Sequence, residues 1–432
     1  MFEKIFFELD TIRDLANFIV TARFVYRGFR ARRQTILLRV LQNELGPALP
    51  DARFLFVFPY ADPADELRYH DWIHVMAGVY QDMLPGSDGR GVFSGGGEGQ
   101  GVLPGGEGQG VRCDFNPPTL KELTELCRTL RRINFITDIY ATTQLASFSL
   151  AGGGGTPAAA PLSRLERRRI MRAFYRRQIV SNAWASTRRP AYWDDRDSNA
   201  FNNSSTEQGQ SIGLFAGFYP WELQHIDHVD YFIMRLCRAL VEHSAAEAAA
   251  GRGYEISPSH FGNLHAHLGH LVQYLQGHQG IAKAALSHLQ SGKSLSDNER
   301  IRKEFVDRYE LLPLTSYWQS HRSQAFPDPI LDKEEQDGLL VMDYFVGDGP
   351  GQVPFGWLDA LRGRYDHWYG AGLRGIPWLP PTQSPEKSWA LTCVVELWRL
   401  SGFALWDRKR VEALKSLRRF EDIRTGFVLD RS

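Results

Sequence analysis

Seven arginines crowd into the fourteen residues RLERRRIMRAFYRR, from Arg164 to Arg177, in a chain whose 50 Lys+Arg balance 50 Asp+Glu. Arg164, Arg168, Arg172 and Arg176 follow one another at i, i+4, i+8 and i+12, so a helix puts them in one row. Like charges at that spacing oppose helix formation by roughly 0.2–0.5 kcal/mol per pair. Such a row needs anionic partners, either carboxylates elsewhere in the fold or phosphates from outside. The local sequence nonetheless specifies a helix. Ser163-x-x-Glu166 is a capping box, in which the hydroxyl accepts a first-turn N–H and the carboxylate reaches back to the N–H of the cap. Ile170, Phe174 and Trp184 give the same helix a side that faces a core.

At 43% hydrophobic and 12% aromatic, the chain has material for a sizeable core. Its 432 residues suit two to three domains of ordinary size. A sequence pI near 7.2 excludes a generally basic nucleic-acid binder but leaves room for a local basic site. Cys113, Cys127, Cys237 and Cys393 lie far apart with no CxxC spacing, which fits free thiols in a reducing compartment. The opening MFEKIFFELD has no long apolar core and does not read as a signal peptide. No apolar run approaches the ~18–20 residues of a membrane span. The expectation is a cytoplasmic protein with no membrane or DNA partner, no metal and no cofactor.

Helical periodicity dominates and strand-like alternation is nearly absent, so the fold class expected is all-α, an irregular set of helices with Gly-rich inserted loops. Residues 1–84 form an N-terminal helical region. Within it, 10–45 reads as two helices, the first capped by Asp10 or Thr11, with Gly28 breaking the pattern and Gly46-Pro47 ending the second. Phe54–Phe58 suits a strand or a helical turn, and 64–83 a helix. Residues 85–112, with GEGQGV at 97–102 and 106–111, are a low-complexity insert; no strand precedes them and no helix follows closely, as a phosphate loop would need. Residues 113–150 hold a long helix from about 119, and 151–162 is a Gly/Ala/Pro linker. The main helical domain covers 163–432. In it a polar loop runs to about 210 and Pro220 opens a helix ending near Gly251. Ser257-Pro258 opens another to about 290. A second capping box lies at Ser296-x-x-Glu299, with helices at 328–346, 355–369 and from Ser384-Pro385 to about 420. No repeat of solenoid period is present.

Several constellations carry possible chemistry. His70 and His74 stand at i, i+4 in HDWIH, a spacing that suits two zinc ligands, although Asp71 is short for a general base and no third ligand is evident. His265, His267 and His270 in HAHLGH belong to a local histidine enrichment with His260, His278 and His288, which suits a tolerant helix face, or else a proton shuttle or a loose metal site. Asp194, Asp195 and Asp197 follow Trp193. Three carboxylates beside large aromatics suit a guanidinium substrate, and equally suit neutralising nearby arginines. The arginine row has the matching pair of readings: internal ion pairing, or a phosphate track with Tyr175 for stacking. Arg128, Arg131 and Arg132 before it, and Arg188 and Arg189 after it, extend the basic region. Trp357, Trp368, Trp378, Trp389, Trp398 and Trp406 read as core.

The stretches LDTIRDLANFIVTARFVYRGFRARRQTILLRVLQNELGP (9–47), PLSRLERRRIMRAFYRRQIVSNAW (161–184), FYPWELQHIDHVDYF (218–232), FGWLDALRGRYDHWY (355–369) and ALWDRKRV (404–411) resemble a large set of little-characterised proteins of filamentous fungi. Two functional expectations attach to that resemblance. The hairpin at 9–45 is similar to the later part of an F-box, without the Leu-Pro opening and without a repeat module for substrates; this implies a non-enzymatic interaction protein with a Skp1-type adaptor as partner. The other likeness is to the fungal arginine-containing cyclodipeptide synthases, which implies a transferase that condenses arginine with a second amino acid delivered on aminoacyl-tRNA. That family's acidic DDxxE motif would fall on Asp194 and Asp195, with Ser198 at the fifth position. The resemblance then implies Asp194 and Asp195 as catalytic residues and Asp197 and Trp193 as substrate-binding ones. Arg164, Arg168, Arg172 and Arg176 would hold RNA phosphates. The synthase is the expected function, and the F-box-like protein is the alternative.

Overall fold

The computed structural model describes residues 2–58, 66–83, 117–152, 156–184, 220–251, 255–291 and 405–415, most of 200–218, and a few single positions. The chain divides into two compact units, Met1–Arg131 with Asp194–Gly217, and Arg132–Trp193 with Phe218–Ser432. Helices make up nearly all the described secondary structure. The only strand pairing among the described residues is the antiparallel hairpin β1 (Ser204–Thr206) with β2 (Gly209–Ser211), Ser204 opposite Ser211. The fold is all-α.

The first unit begins with α1 (Phe2–Glu8), α2 (Ile12–Ile19), α3 (Arg23–Ala31), α4 (Arg33–Leu45) and α5 (Leu49–Val57). Thr11 caps α2 through its hydroxyl, which accepts the Asp14 N–H at 3.0 Å. From α4, Asn43 donates to the carbonyls of Phe7 and Leu9, each at 2.9 Å, and Glu44 accepts the Ile12 N–H at 2.7 Å. Two adjacent polar residues thus fix the turn between α1 and α2. The bundle closes on Phe6, Leu15, Val25, Phe29, Leu37, Val40 and Leu41, all buried. Gly46 stops α4 at φ 52°, a left-handed conformation that glycine adopts without Cβ strain. Helix α6 (Glu66–Met83) packs on the 3-10 turn Leu214–Gly217. Its Tyr80 donates to the buried Asp51 carboxylate and lies 4.5 Å from the Phe54 ring.

Helix α7 (Leu120–Gly152) is continuous across residue 131, where the division between units falls. In the second unit follow α8 (Arg164–Trp184), α9 (Pro220–Ala249), α10 (Pro258–Ala266), α11 (Leu268–Gly277), α12 (Gln279–Gln290) and α13 (Arg408–Lys415). Tyr140 of α7 is the aromatic hub, with ring centroids 5.0 Å from Phe232, 6.1 Å from Phe174 and 6.1 Å from Trp406. Gly402, at φ +65°, sits against the Tyr140 hydroxyl so closely that no Cβ fits.

Several sequence expectations need correction. Residues 10–45 form three helices, not two, because the break falls at Val20–Ala22 and Gly28 lies inside α3. A glycine inside a helix costs about 1 kcal/mol, and burial of Val25 and Phe29 on either side of it outweighs that. Of the two readings left open for Phe54–Phe58, strand and helical turn, the helical one is found, at the end of α5. Residues 258–290 form three helices, interrupted at His267 and His278. The linker at 151–162 carries the end of α7, then a 3-10 turn at Pro157–Ala159 with Ala158 buried. The insert at 85–112, the capping box at Ser296 and the helices at 328–346 and 355–369 lie outside the described residues, as do the tryptophans other than Trp406 in the C-terminal set.

Candidate functional site

Helix α8 opens with the capping box read from the sequence. Glu166 N–H donates to Ser163 Oγ at 3.1 Å, and Ser163 N–H donates to Glu166 Oε2 at 2.9 Å. The Glu166 carboxylate does more than cap. It also accepts from Arg410 Nε (2.8 Å) and Nη2 (2.9 Å) and from the Asp407 N–H (3.1 Å), and it is buried. Arg410 donates onward to the carbonyls of Ala158, Ala160 and Pro161. Its planar fork reaches five acceptor oxygens at once, a geometry a lysine cannot supply. The Ser163 hydroxyl in turn donates to Asp407. The start of α8 is therefore locked to α13, some 240 residues away in sequence.

The arginines that follow meet carboxylates of the same unit. Arg167 pairs with Asp138 at 2.6 Å and donates to Asn134 at 3.0 Å. Arg169 pairs with Asp407 at 2.8 Å. Arg172 and Arg176 share Glu222, one on each oxygen, both at 2.7 Å. Arg176 is only 1 % exposed and its guanidinium lies 4.8 Å from the centre of the Phe218 ring. A bridging carboxylate converts the like-charge repulsion of one i, i+4 pair into two charge-assisted bonds. Arg164 is exposed and Arg168 half-buried, and each has contacts of its own. Within the row, Arg172 and Arg176 thus meet an internal carboxylate, and Arg176 is buried with it.

Arg177 extends the network into the deepest part of the unit. Its Nε donates to Asp230 at 2.9 Å, and its Nη2 lies 3.3 and 3.4 Å from the two ring nitrogens of His265. His265 Nε2 lies 3.4 Å from Asp230. These distances fit the tautomer protonated on Nε2, with Nδ1 accepting from Arg177 and Nε2–H donating to Asp230. Burial, joined by the Arg177 and Arg238 charges, holds the His265 pKa well below the usual range, so the ring is neutral. Burial pushes Asp230 up to about 6, against the pull of Arg177 and with help from Asp227. Burial also pushes the Cys237 thiol up to about 12 and Cys127 to about 11, so neither is a thiolate nucleophile at neutral pH.

Asp194, Asp195, Asp197 and Trp193 lie outside the described residues. His70 and His74 are half-buried on α6, and no set of three metal-ligating side chains lies together among the described residues. The HAHLGH histidines separate by role. His265 is part of the ion network, whereas His267 and His270 meet edge to face at 5.1 Å on the outer side of the α10–α11 break. Sequence reasoning missed Glu222, Asp230, Asp407 and Arg410. A signal for the first two was present: PWELQHIDHVD sets Glu222, Asp227 and Asp230 beside the apolar Leu223, Ile226 and Val229, a placement that suits counter-charges to buried bases. No protein-family model matches this chain, and no curated protein and no solved structure matches it.

Proposed function

We propose that the chain is a non-enzymatic, F-box-like protein-interaction protein. The observation that carries this reading is the internal commitment of α8. The synthase expectation used Arg164, Arg168, Arg172 and Arg176 as a phosphate track, and two of these four, Arg172 and Arg176, are paired with Glu222, while their neighbours Arg169 and Arg177 are paired with Asp407 and Asp230. A partner-binding role makes no demand on those residues. It uses instead the small N-terminal bundle, the part similar to an F-box, which has a filled core and leaves Ile5, Val20, Phe24, Tyr26, Phe56 and Val57 exposed.

The second reading, an aminoacyl-tRNA-dependent synthase of arginine-containing cyclic dipeptides with Asp194 and Asp195 at its centre, draws on the exposed Arg128, Arg131, Arg132 and Arg164. One experiment separates the two. The full chain is expressed in a microbial host, extracts are searched by mass spectrometry for an arginine-containing diketopiperazine, and the purified chain is mixed with a Skp1-type adaptor. Complex formation without the product is the expected result. Appearance of the product, and its loss on Asp194→Asn or Asp195→Asn, overturns the interaction reading.

A further inference from the structure

Between Leu15 and Asn43 the sequence holds six arginines and neither a lysine nor a carboxylate. Three of the six lie in α3. Val25 and Phe29 face the core of the first unit, where the Phe29 ring lies 6.4 Å from that of Phe6. Arg23, Arg27 and Arg30, at i, i+4 and i+7, are exposed on the other side. The row rises about 10 Å along the helix axis. No carboxylate pairs with Arg23, Arg27 or Arg30 among the described residues. Helix α8 shows how this fold treats arginines that it needs to neutralise, and α3 receives no such treatment. Three large side chains accompany the row: Phe24 at 58 % exposure, Tyr26 at 50 %, and Val20 at 80 % at the corner from α2 into α3.

We propose that this α2–α3 corner docks an acidic helix of a partner protein, one that presents carboxylates at i, i+4 and i+7 to the three arginines and apolar side chains beside them. The inference rests on the interaction reading above and supplies the chemistry of the partner. Charge complementarity sets its sign, because each guanidinium takes a carboxylate in two parallel bonds. The residue types set its class. Arginine with tyrosine and phenylalanine, and without lysine, is the composition of protein interface cores, where arginine and aromatics are enriched and lysine is depleted. Val20 has no ring for a base to stack on and no donor for a phosphate, so it is idle against RNA, whereas an apolar side chain of a helix covers it. A lipid surface needs the apolar side of α3, and that side is spent on the core.

The test uses the full chain and a fluorescent helical peptide with Glu at i, i+4 and i+7 and Leu at the flanking positions, read by anisotropy against salt. A labelled single-stranded RNA of similar length is the second probe. The peptide is expected to bind, and the triple variant Arg23→Ala, Arg27→Ala, Arg30→Ala to weaken it roughly tenfold or more. Phe24→Ser is expected to weaken it as well, with the far-UV spectrum and melting curve unchanged. Arg27→Glu paired with a peptide carrying Lys at the facing position is expected to regain affinity, an outcome that misfolding cannot mimic. Peptide binding that ignores the triple variant, or no peptide binding at all, overturns the proposal. So does tighter binding of RNA that the triple variant abolishes. These outcomes are independent of adaptor capture: an adaptor complex that forms equally well with the triple variant sinks this surface and leaves the interaction reading standing.

Discussion

Glu222 holds two members of the arginine row at once, so its loss removes two ion pairs. Removing one partner of a buried pair leaves an uncompensated charge, at about 3–5 kcal/mol. Glu222→Ala takes this carboxylate away from Arg176, which has almost no access to water, and from Arg172, which has some. The expected loss in urea denaturation is at the upper end of that range, and Arg172→Gln, which removes the more exposed partner, is expected to cost clearly less. A Glu222→Ala protein within about 1 kcal/mol of wild type would show that the bridge is not a determinant of stability. The Arg177–Asp230–His265 group makes a pH prediction with opposing signs. Asp230 is raised from 3.8 to about 6 on folding. The folded state therefore holds its proton over an interval in which the unfolded state has lost it. The stabilisation is complete below about pH 4 and is lost as pH rises through about 6, a change of about 3 kcal/mol at most. His265 is lowered instead, so its contribution is present above its ordinary value of 6.5 and is lost as pH falls below it. Over pH 4 to 6.5 the two contributions therefore oppose each other. Asp230→Asn removes one arm, so the advantage of wild type over the variant is expected to be larger at pH 4 than at pH 7 in paired thermal melts. A difference of opposite slope would refute the assignment.

At the scale of elements, α8 is the organiser of the second unit, and its polar side chains decide where other helices end. Gln178 Nε2 and the Ser181 hydroxyl donate to the Ala266 carbonyl at 3.1 and 2.6 Å, while the Leu268 N–H donates to Gln178 Oε1 at 2.8 Å. These bonds take the groups that a continuous helix through His267 would use, and the chain turns there. Gln178→Ala leaves a buried N–H and weakens one carbonyl bond, at about 1–3 kcal/mol. Hydrogen exchange at the Leu268 amide is the direct readout: it should accelerate by one to two orders of magnitude, while amides in the middle of α9 respond only to the global change. Equal acceleration everywhere would mean that Gln178 acts on overall stability alone. The same bonds explain which elements the sequence revealed. The capping box at Ser163, the core side of Ile170, Phe174 and Trp184, and the Pro220 and Gly251 limits of α9 are local patterns, and local patterns were readable. The break at His267 depends on residues about 90 positions away, and the fate of the arginine row on Glu222 and Asp230, about 50 away. Nothing within one helical turn encodes either. The acidic face of α9 did carry the information, since acids at 222, 227 and 230 flank an apolar stripe, but matching it to α8 requires knowing that the two helices pack together.

The whole chain is built from two units whose sequence segments interleave, and this has a consequence for any attempt to isolate the N-terminal bundle. The first unit is not contiguous: Met1–Arg131 is completed by Asp194–Gly217. From the second segment, Ala200, Phe201, Leu214 and Phe215 are buried, Phe201 lies 5.4 Å from Phe215 between ring centroids, and the turn that holds Leu214 and Phe215 packs on α6. Burying one Phe or Leu side chain contributes about 1.5–3 kcal/mol. The three large ones together contribute roughly 5–9 kcal/mol, which is comparable with the 5–15 kcal/mol that a whole domain has to spare. A fragment ending at residue 131 is therefore expected to retain helical far-UV signal, to bind a hydrophobic dye, and to melt without a sharp transition. Supplying 194–217 on a flexible Gly/Ser linker after residue 131 is expected to restore a cooperative melt and suppress dye binding. A cooperative melt of the short fragment without that segment would mean that α1–α6 close their own core, and that residues 200–217 lie on a unit already complete.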